Sequence, residues 1–404
     1  MASKTQTLKF KQTVNAPPAE VYRAFTNSTA LREWLCDAAQ ADRRKGGRVH
    51  LWWNAGQHMT GEFAALVPDK KVAFTWRGRS DPAATNVQVS FTAKNGGTLV
   101  TLTHSGVGAG KVWADAVAGF KHEWPRSLEN LKSVLETGRD LRFTLRPMLG
   151  IQVDTFDAET AARLGVPVKE GIRLSGVVEG MGAEAAGLQK DDVIVGVGGR
   201  KTHNWSTLAD ALQAHRAGDG VKVVFYRGGA KQTVAMKLSG RPIDEPPATA
   251  AELAEAVRKM HAEFDASLAA VFEGVSEEEA SHQPGPDEWS AKDVVCHLLG
   301  GERDTHAWII DLIGGEERWS DGWAGNIRTR HVGILAAFPT VPALLEELKR
   351  NELETAAMLA ALPEAFVARK GSFWRLAYGV LDSPSHNAGH LDQIRAAIAS
   401  ARKP

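Results

Sequence analysis

Cysteine is scarce in this 404-residue chain. Its two cysteines, Cys36 and Cys296, stand far apart in sequence, so no disulfide framework is expected and a reducing compartment fits best. Long apolar runs are missing, which leaves no segment to span a membrane. The opening residues, Met-Ala-Ser-Lys-Thr-Gln-Thr-Leu-Lys-Phe, lack the apolar core of a signal peptide, so the cytoplasm is the expected location. Charge of one sign is missing too. Lysine plus arginine and aspartate plus glutamate number 48 each, giving no field to draw in nucleic acid or an anionic membrane.

What is present is a globular composition, 43% hydrophobic and 24% charged, on a chain too long for one core. The patterning changes character twice, which predicts three domains at 1–142, 143–242 and 249–401. The fold class expected is an α+β helix-grip domain, a mostly β domain and an all-α four-helix bundle.

In the first segment a strand pattern at Leu8–Val14 leads to Asn15-Ala-Pro-Pro-Ala-Glu, read as a helix start with Asn15 as cap. Two short helices follow. After Gly46-Gly47 the apolar residues alternate, as in Val49, Leu51 and Trp53, with Asn95-Gly96-Gly97 as a hairpin signal. From Lys111 to Leu135 the period is helical. A long helix on a curved sheet needs something between them, either side chains or a ligand. Trp53, Phe74, Trp76 and Trp124 are the candidate lining of an apolar pocket, though ordinary core packing is the simpler account of them. Trp52 must face opposite to Trp53.

This segment resembles the Hsp90-ATPase-activator-like branch of the START-related superfamily. The resemblance rests on Ala-Pro-Pro-Ala-Glu-Val-Tyr-Arg-Ala-Phe-Thr at 16–26, Leu31-Arg-Glu-Trp-Leu35, Gly46-Gly47 and the Trp124–Leu131 helix. It implies a START-like fold and a small apolar ligand, or a client, held between sheet and helix.

The middle segment reads as short strands near 151–153, 173–178, 192–197, 221–226 and 232–238. Two short helices fall between them, the second capped by Ser206. The wording from Gly176 to Ile194, followed by Gly198-Gly199 and Leu208…Leu212, resembles a PDZ domain of the bacterial protease-associated type. That implies a groove for the C-terminal peptide of another protein. Its carboxylate would meet the Met148-Leu149-Gly150 loop, Ile151 and Val153 would pair with it as a strand, and Leu208 and Leu212 would hold its last side chain. Asp191 replaces the glycine usual in that family, and the stretch 165–170 is placed to cover part of the edge. A docking module that binds no free peptide is the alternative. No Gly-x-Ser-x-Gly element precedes it to make a protease. The proline-rich stretch from Arg241 is a stiff linker.

The last segment is helical. His386, His390, Ile394 and Ile398 recur every four residues on its final helix, and His297 lies on the second helix, which Ser290 caps. Three imidazoles from two helices suit one divalent metal, zinc first and nickel or iron as alternatives, with a fourth position left open. Among 13 histidines, though, one such pair arises readily by chance, and core histidines are often satisfied by hydrogen bonds.

The segment is similar to the DinB-like superfamily, in the branch with intact ligands. The matching stretches are Asp287-Glu-Trp-Ser-Ala-Lys-Asp-Val-Val-Cys-His-Leu-Leu-Gly and Ser385-His-Asn-Ala-Gly-His-Leu-Asp-Gln-Ile-Arg. The resemblance implies that His297, His386 and His390 are the ligands and that Trp289 packs before the cap. It also implies thiol-transferase, isomerase or hydrolase-like chemistry on a low-molecular-weight thiol or its adducts. Asp304, seven residues beyond His297, is the candidate base. Glu302 and Arg303 read as solvent-facing, His306 as facing away and Cys296 as an inert thiol. Asp392 and Gln393 are offset from the histidine stripe. Trp319, Trp323 and Arg328 or Arg330, in the connection 314–333, are candidates for a covering loop. The competing reading is a non-enzymatic, stress-type adaptor that binds an apolar ligand or client and protein C-termini.

Overall fold

The computed structural model describes residues 5–54, 56–213, 215–243, 245–318, 327–382 and 384–402. They form three folded domains in two compact units. The middle domain, 141–244, is one unit, and the two outer domains together make the other.

The N-terminal domain is a seven-stranded antiparallel sheet with a helix across it. Its elements are β1 (Thr5–Val14), α1 (Pro18–Thr26), α2 (Ser28–Trp34), β2 (Ala38–Ala41), β3 (Arg48–Trp53), β4 (Gln57–Val67), β5 (Lys71–Gly78), β6 (Thr85–Lys94), β7 (Gly97–Gly108) and α3 (Ala114–Thr137). The strand order is β1-β7-β6-β5-β4-β3-β2. The predicted hairpin joins β6 to β7, with Asn95 and Gly96 both at positive φ. Asn15 is not the cap of α1. Pro17 takes that position without a side-chain bond, and Asn27 instead caps α2 by accepting from Ala30 N.

The middle domain runs α4 (Leu141–Thr144), β8 (Pro147–Met148), β9 (Ile151–Asp154), α5 (Ala158–Leu164), β10 (Ile172–Val177), α6 (Gly182–Ala185), β11 (Val193–Val197), β12 (Arg200–Lys201), α7 (Trp205–Leu212), β13 (Gly220–Arg227), β14 (Ala230–Lys237) and β15 (Ser239–Gly240). Its main sheet is ordered β14-β13-β11-β10-β9, which leaves β9 at an edge. Helix α7 starts two residues earlier than a Ser206 cap would set it, at Trp205 after Asn204. Asn204 and Thr207 form a reciprocal capping box there, which satisfies two orphan N–H groups where a lone serine satisfies one. Helix α5, capped by Asp157, was not anticipated. Asp191 does the work of the usual glycine: it adopts φ 68° and its carboxylate accepts from Arg173.

The C-terminal domain is helical, with α8 (Ala250–Val271), α9 (Glu277–Ser281), α10 (Ala291–Gly314), α11 (Arg328–Ala337), α12 (Val341–Ala360), α13 (Glu364–Val367), α14 (Lys370–Leu381) and α15 (Pro384–Ala401). Helices α8, α10, α12 and α15 are the long members, and Ser290 caps α10 in a capping box with Asp293. Part of the expected connection 314–333 is helical, since α11 begins at Arg328.

The outer domains share a polar seam as well as apolar contacts. Ser372 Oγ donates to Glu33 Oε1 (2.6 Å), Asn27 Nδ2 to Gly315 O (2.8 Å) and Glu317 N to Thr29 Oγ1 (3.1 Å). The Glu317 carboxylate is clasped by Arg32 and Arg375. Ser372 and Thr29 are fully buried. Buried polar groups matched this closely tie the two domains into one body. Among the described residues no single helix is long and apolar enough to cross a membrane.

Candidate functional site

The three histidines meet. His297, His386 and His390 each offer one ring nitrogen to a group whose atoms all lie within 4.8 Å of one another. The His297 ring is 4.8 Å from that of His390 and 5.8 Å from that of His386, centroid to centroid. One turn apart on α15, His386 and His390 bring their Nε2 atoms to 3.0 Å. Tetrahedral bonds of roughly 2.0–2.1 Å to zinc would set two nitrogens about 3.3 Å apart, so the donor set fits such an ion.

The site is open to solvent. Ile394 and Ile398 on the same stripe are buried, whereas His386 is exposed and His297 and His390 are half-buried. The stripe therefore runs out of the core at the end of α15, and the histidines do not all point inward. A Cβ on Gly389, between the two, would meet nothing within 4 Å.

Gln393 is a partner that the sequence did not reveal. Its Oε1 lies 3.1 Å from His390 Nδ1, which leaves Nε2 as the ligating nitrogen. Helical offset had placed Gln393 off the histidine stripe, yet its long side chain reaches back one turn. Burial holds the His390 imidazole below its ordinary pKa, Gln393 opposes the shift, and His386 adds to it. The neutral, ligating form is thereby favoured.

Trp289 packs as expected, its ring 5.1 Å from both His297 and His331. Behind it, Asp293 gathers Ser290, Arg328 and His331. Although burial opposes ionisation, these partners together hold its carboxyl well below the usual range. Arg328 is thus bound to the base of α10. Arg330 makes two bonds to Asp304, at 2.8 and 2.9 Å. Asp304 lies outside the histidine group, and its carboxylate is occupied by that pair. Trp319 and Trp323 lie outside the described residues.

Glu302 is not solvent-facing but turns inward to Thr355, whereas Arg303 stays open to solvent while pairing with Glu347. His306 does turn away from the site, to the Asn351 carbonyl and Thr355. Cys296 is fully buried, and burial pushes its thiol up to about 12.

In the middle domain, Gly150 at φ 77° permits a close approach, because a Cβ there would lie 2.2 Å from the Met181 Cβ. The β9 edge presents Ile151 half-buried and Val153 exposed. Leu149 is a core residue whose carbonyl accepts from Ala183 N, and Leu208 is also buried, while Leu212 packs at the margin of that core.

In the N-terminal domain the candidate pocket residues form a packed aromatic cluster. Trp76 lies 6.5 Å from Trp53, 5.2 Å from Trp124 and 6.3 Å from Phe120, while Phe74 packs edge-on to Phe63. His104, buried among them, accepts from Trp124 Nε1 and bonds Thr85 Oγ1, and burial lowers it to about 4. Trp52 stacks on His58, on the opposite face from Trp53. A cleft of about 1100 Å³ lies elsewhere, between Gly315–Arg318 and strands β2–β5. Arginines and carboxylates line it, and it shares no residue with the histidine group.

Fold and site together define a three-module protein: a helix-grip domain, a PDZ-like domain and a helical bundle with clustered histidines. Family models match in that order: activator of Hsp90 ATPase homolog 1-like protein over residues 15–136, PDZ domain over 147–238, and DinB superfamily over 265–394. The activator of 90 kDa heat shock protein ATPase homolog 1 of Mus musculus is 31% identical over 104 residues, 25% of this chain and 30% of that protein. The serine protease Do-like HtrA of Lactococcus lactis subsp. cremoris is 32% identical over 149 residues, 35% of this chain and 36% of that one. The chain spans about a third of the length of these curated relatives. The Aha1 dimer from Colwellia psychrerythraea, a solution structure, is similar at 22% identity, covering 32% of this chain and 96% of that one with a TM-score of 0.30.

Proposed function

We propose that His297, His386 and His390 hold one divalent metal, zinc in the first instance and nickel or iron as alternatives. On this reading the C-terminal bundle is a metal-dependent enzyme domain for a low-molecular-weight thiol, its adducts, or a hydrolysable small molecule. The observation that carries the reading is the approach of three imidazoles, within 4.8 Å, at a solvent-open end of the bundle. The metal would supply Lewis acidity and lower the pKa of a thiol or water bound in the open position. The chain's own residues orient and limit that position. Gln393 fixes the His390 tautomer, Trp289 walls one side, and exposed His386 marks the approach. Asp304 would serve as a base only after release from Arg330. Domains at 1–142, 143–242 and 249–401 and a reducing, cytoplasmic setting belong to the same reading, the latter because both cysteines are buried thiols. The test is calorimetry of the zinc-loaded protein with common low-molecular-weight thiols. Saturable binding lost in His386→Ala is expected, and equal binding by both proteins would contradict the assignment.

A second reading is an adaptor, and the edge position of β9 favours it. A peptide with a free C-terminus would add a strand there and place its carboxylate near Gly150. Amidating the peptide should abolish binding, and undiminished affinity would refute this mode.

A further inference from the structure

The interior of the bundle holds a second polar cluster, with no part in the proposed histidine site. Helix α8 contributes His261 and Asp265, α10 contributes Glu302 and His306, and α12 contributes Glu352 and Thr355, so each pair shares one helix face. Thr355 Oγ1 donates to Glu302 Oε2 at 2.6 Å, and His306 Nε2 lies 2.8 Å from the same hydroxyl. Glu302 Oε1 stands 3.7 Å from His261 Nε2. Asp265 is within hydrogen-bonding reach of Glu352.

Two atoms in this cluster have no hydrogen-bond partner, Glu352 Oε2 and His261 Nδ1. Their residues are 5% and 8% exposed. Orphaned buried polar atoms are rare in native proteins, and two in one cluster call for something that binds them. The charge balance points the same way. Three carboxylates converge, while nearby Arg303 is committed to Glu347 and Lys349 only weakly offsets them. Burial first, then Asp265 and Glu302, push the Glu352 carboxyl up to about 10, so it carries a proton at neutral pH.

We propose that His261, Asp265, Glu302 and Glu352 form a second divalent-cation site, in which the cation takes the place of the proton shared by the carboxyl groups. Carboxylate-rich donors with one imidazole suit a harder ion than three imidazoles do, with manganese the natural probe. Among the described residues, the three histidines are the group whose ligand atoms already lie within 4.8 Å of one another. Closing the second site requires rotation of Glu302 and Glu352, two long side chains. His306 and Thr355 act as positioning residues by holding Glu302 toward the centre.

The inference stands whether or not the histidine site holds metal, so its test removes that site. Mn²⁺ is titrated into full-length His390→Ala protein, and the free ion is read by its electron paramagnetic resonance signal. One bound ion per chain is expected, with about one proton released near pH 7. Adding Glu352→Gln should weaken binding at least about tenfold. Glutamine copies the shape of the protonated carboxyl, so the fold should persist, and a thermal melt checks this. Absence of binding at about 1 mM Mn²⁺, or equal binding in the Glu352→Gln protein, overturns the proposal.

Discussion

Helix α10 contributes to two polar clusters that differ in almost every physical respect. Near its start, His297 joins His386 and His390 at a solvent-open end, where the rings already converge. A turn or two further on, Glu302 and His306 join residues of α8 and α12 in the interior, where burial makes each charge and each unpaired atom costly. The first cluster stands at the margin of the fold, where His386 is exposed and a ligand can approach. Residues of the second are bound into the packing, so whatever they bind also governs stability.

Substitutions should separate the two. The largest effect is expected from Glu302→Ala, which leaves Thr355 and His261 without their shared partner. Urea unfolding should show a loss of roughly 1–3 kcal/mol. A loss near zero would mean that the interior cluster is solvated and the contrast false.

Glu352→Gln should act through pH. The folded protein favours the neutral carboxyl, so its contribution is complete below the ordinary carboxylate range. It is lost as pH rises toward about 10. Glutamine does not titrate, so the variant's advantage over the unsubstituted protein should grow steadily with pH across that window. Unfolding midpoints at about pH 5, 7 and 9 would show it. A constant difference would place the proton elsewhere. The smallest effect is expected from His386→Ala in metal-free protein. This exposed residue should change unfolding free energy by less than about 0.5 kcal/mol. A cost of several kcal/mol would make it a structural residue.

The same contrast explains what the sequence revealed. Histidines spaced by four, in line with Ile394 and Ile398, announce a helix face, and Ser290 with Asp293 announces where α10 starts. These are short-range signals, and the structure bears out the helices they predict. The inward turn of Glu302 has no such signal. A glutamate in a helix is assigned to solvent by default, and only its neighbours on α8 and α12 reverse that. Gln393 was missed because reach, not helical angle, decides its contact. The caps at Asn15 and Ser206 failed for a local reason. Several cap-competent residues stood close together, and the geometry of the first turn chose among them. The polar seam at Glu33, Ser372 and Glu317 joins residues some three hundred positions apart, beyond the reach of any local pattern.

The metal content of the untagged protein, set against that of His390→Ala, tests the central claim most directly. Counting zinc, nickel and iron, the metals suited to the histidine site, the account predicts about one equivalent per chain in the unsubstituted protein. In the variant, which should keep its helical signal and melting behaviour, it predicts less than about a tenth. Less than about a tenth of an equivalent in the unsubstituted protein, unaltered by the substitution, would contradict it.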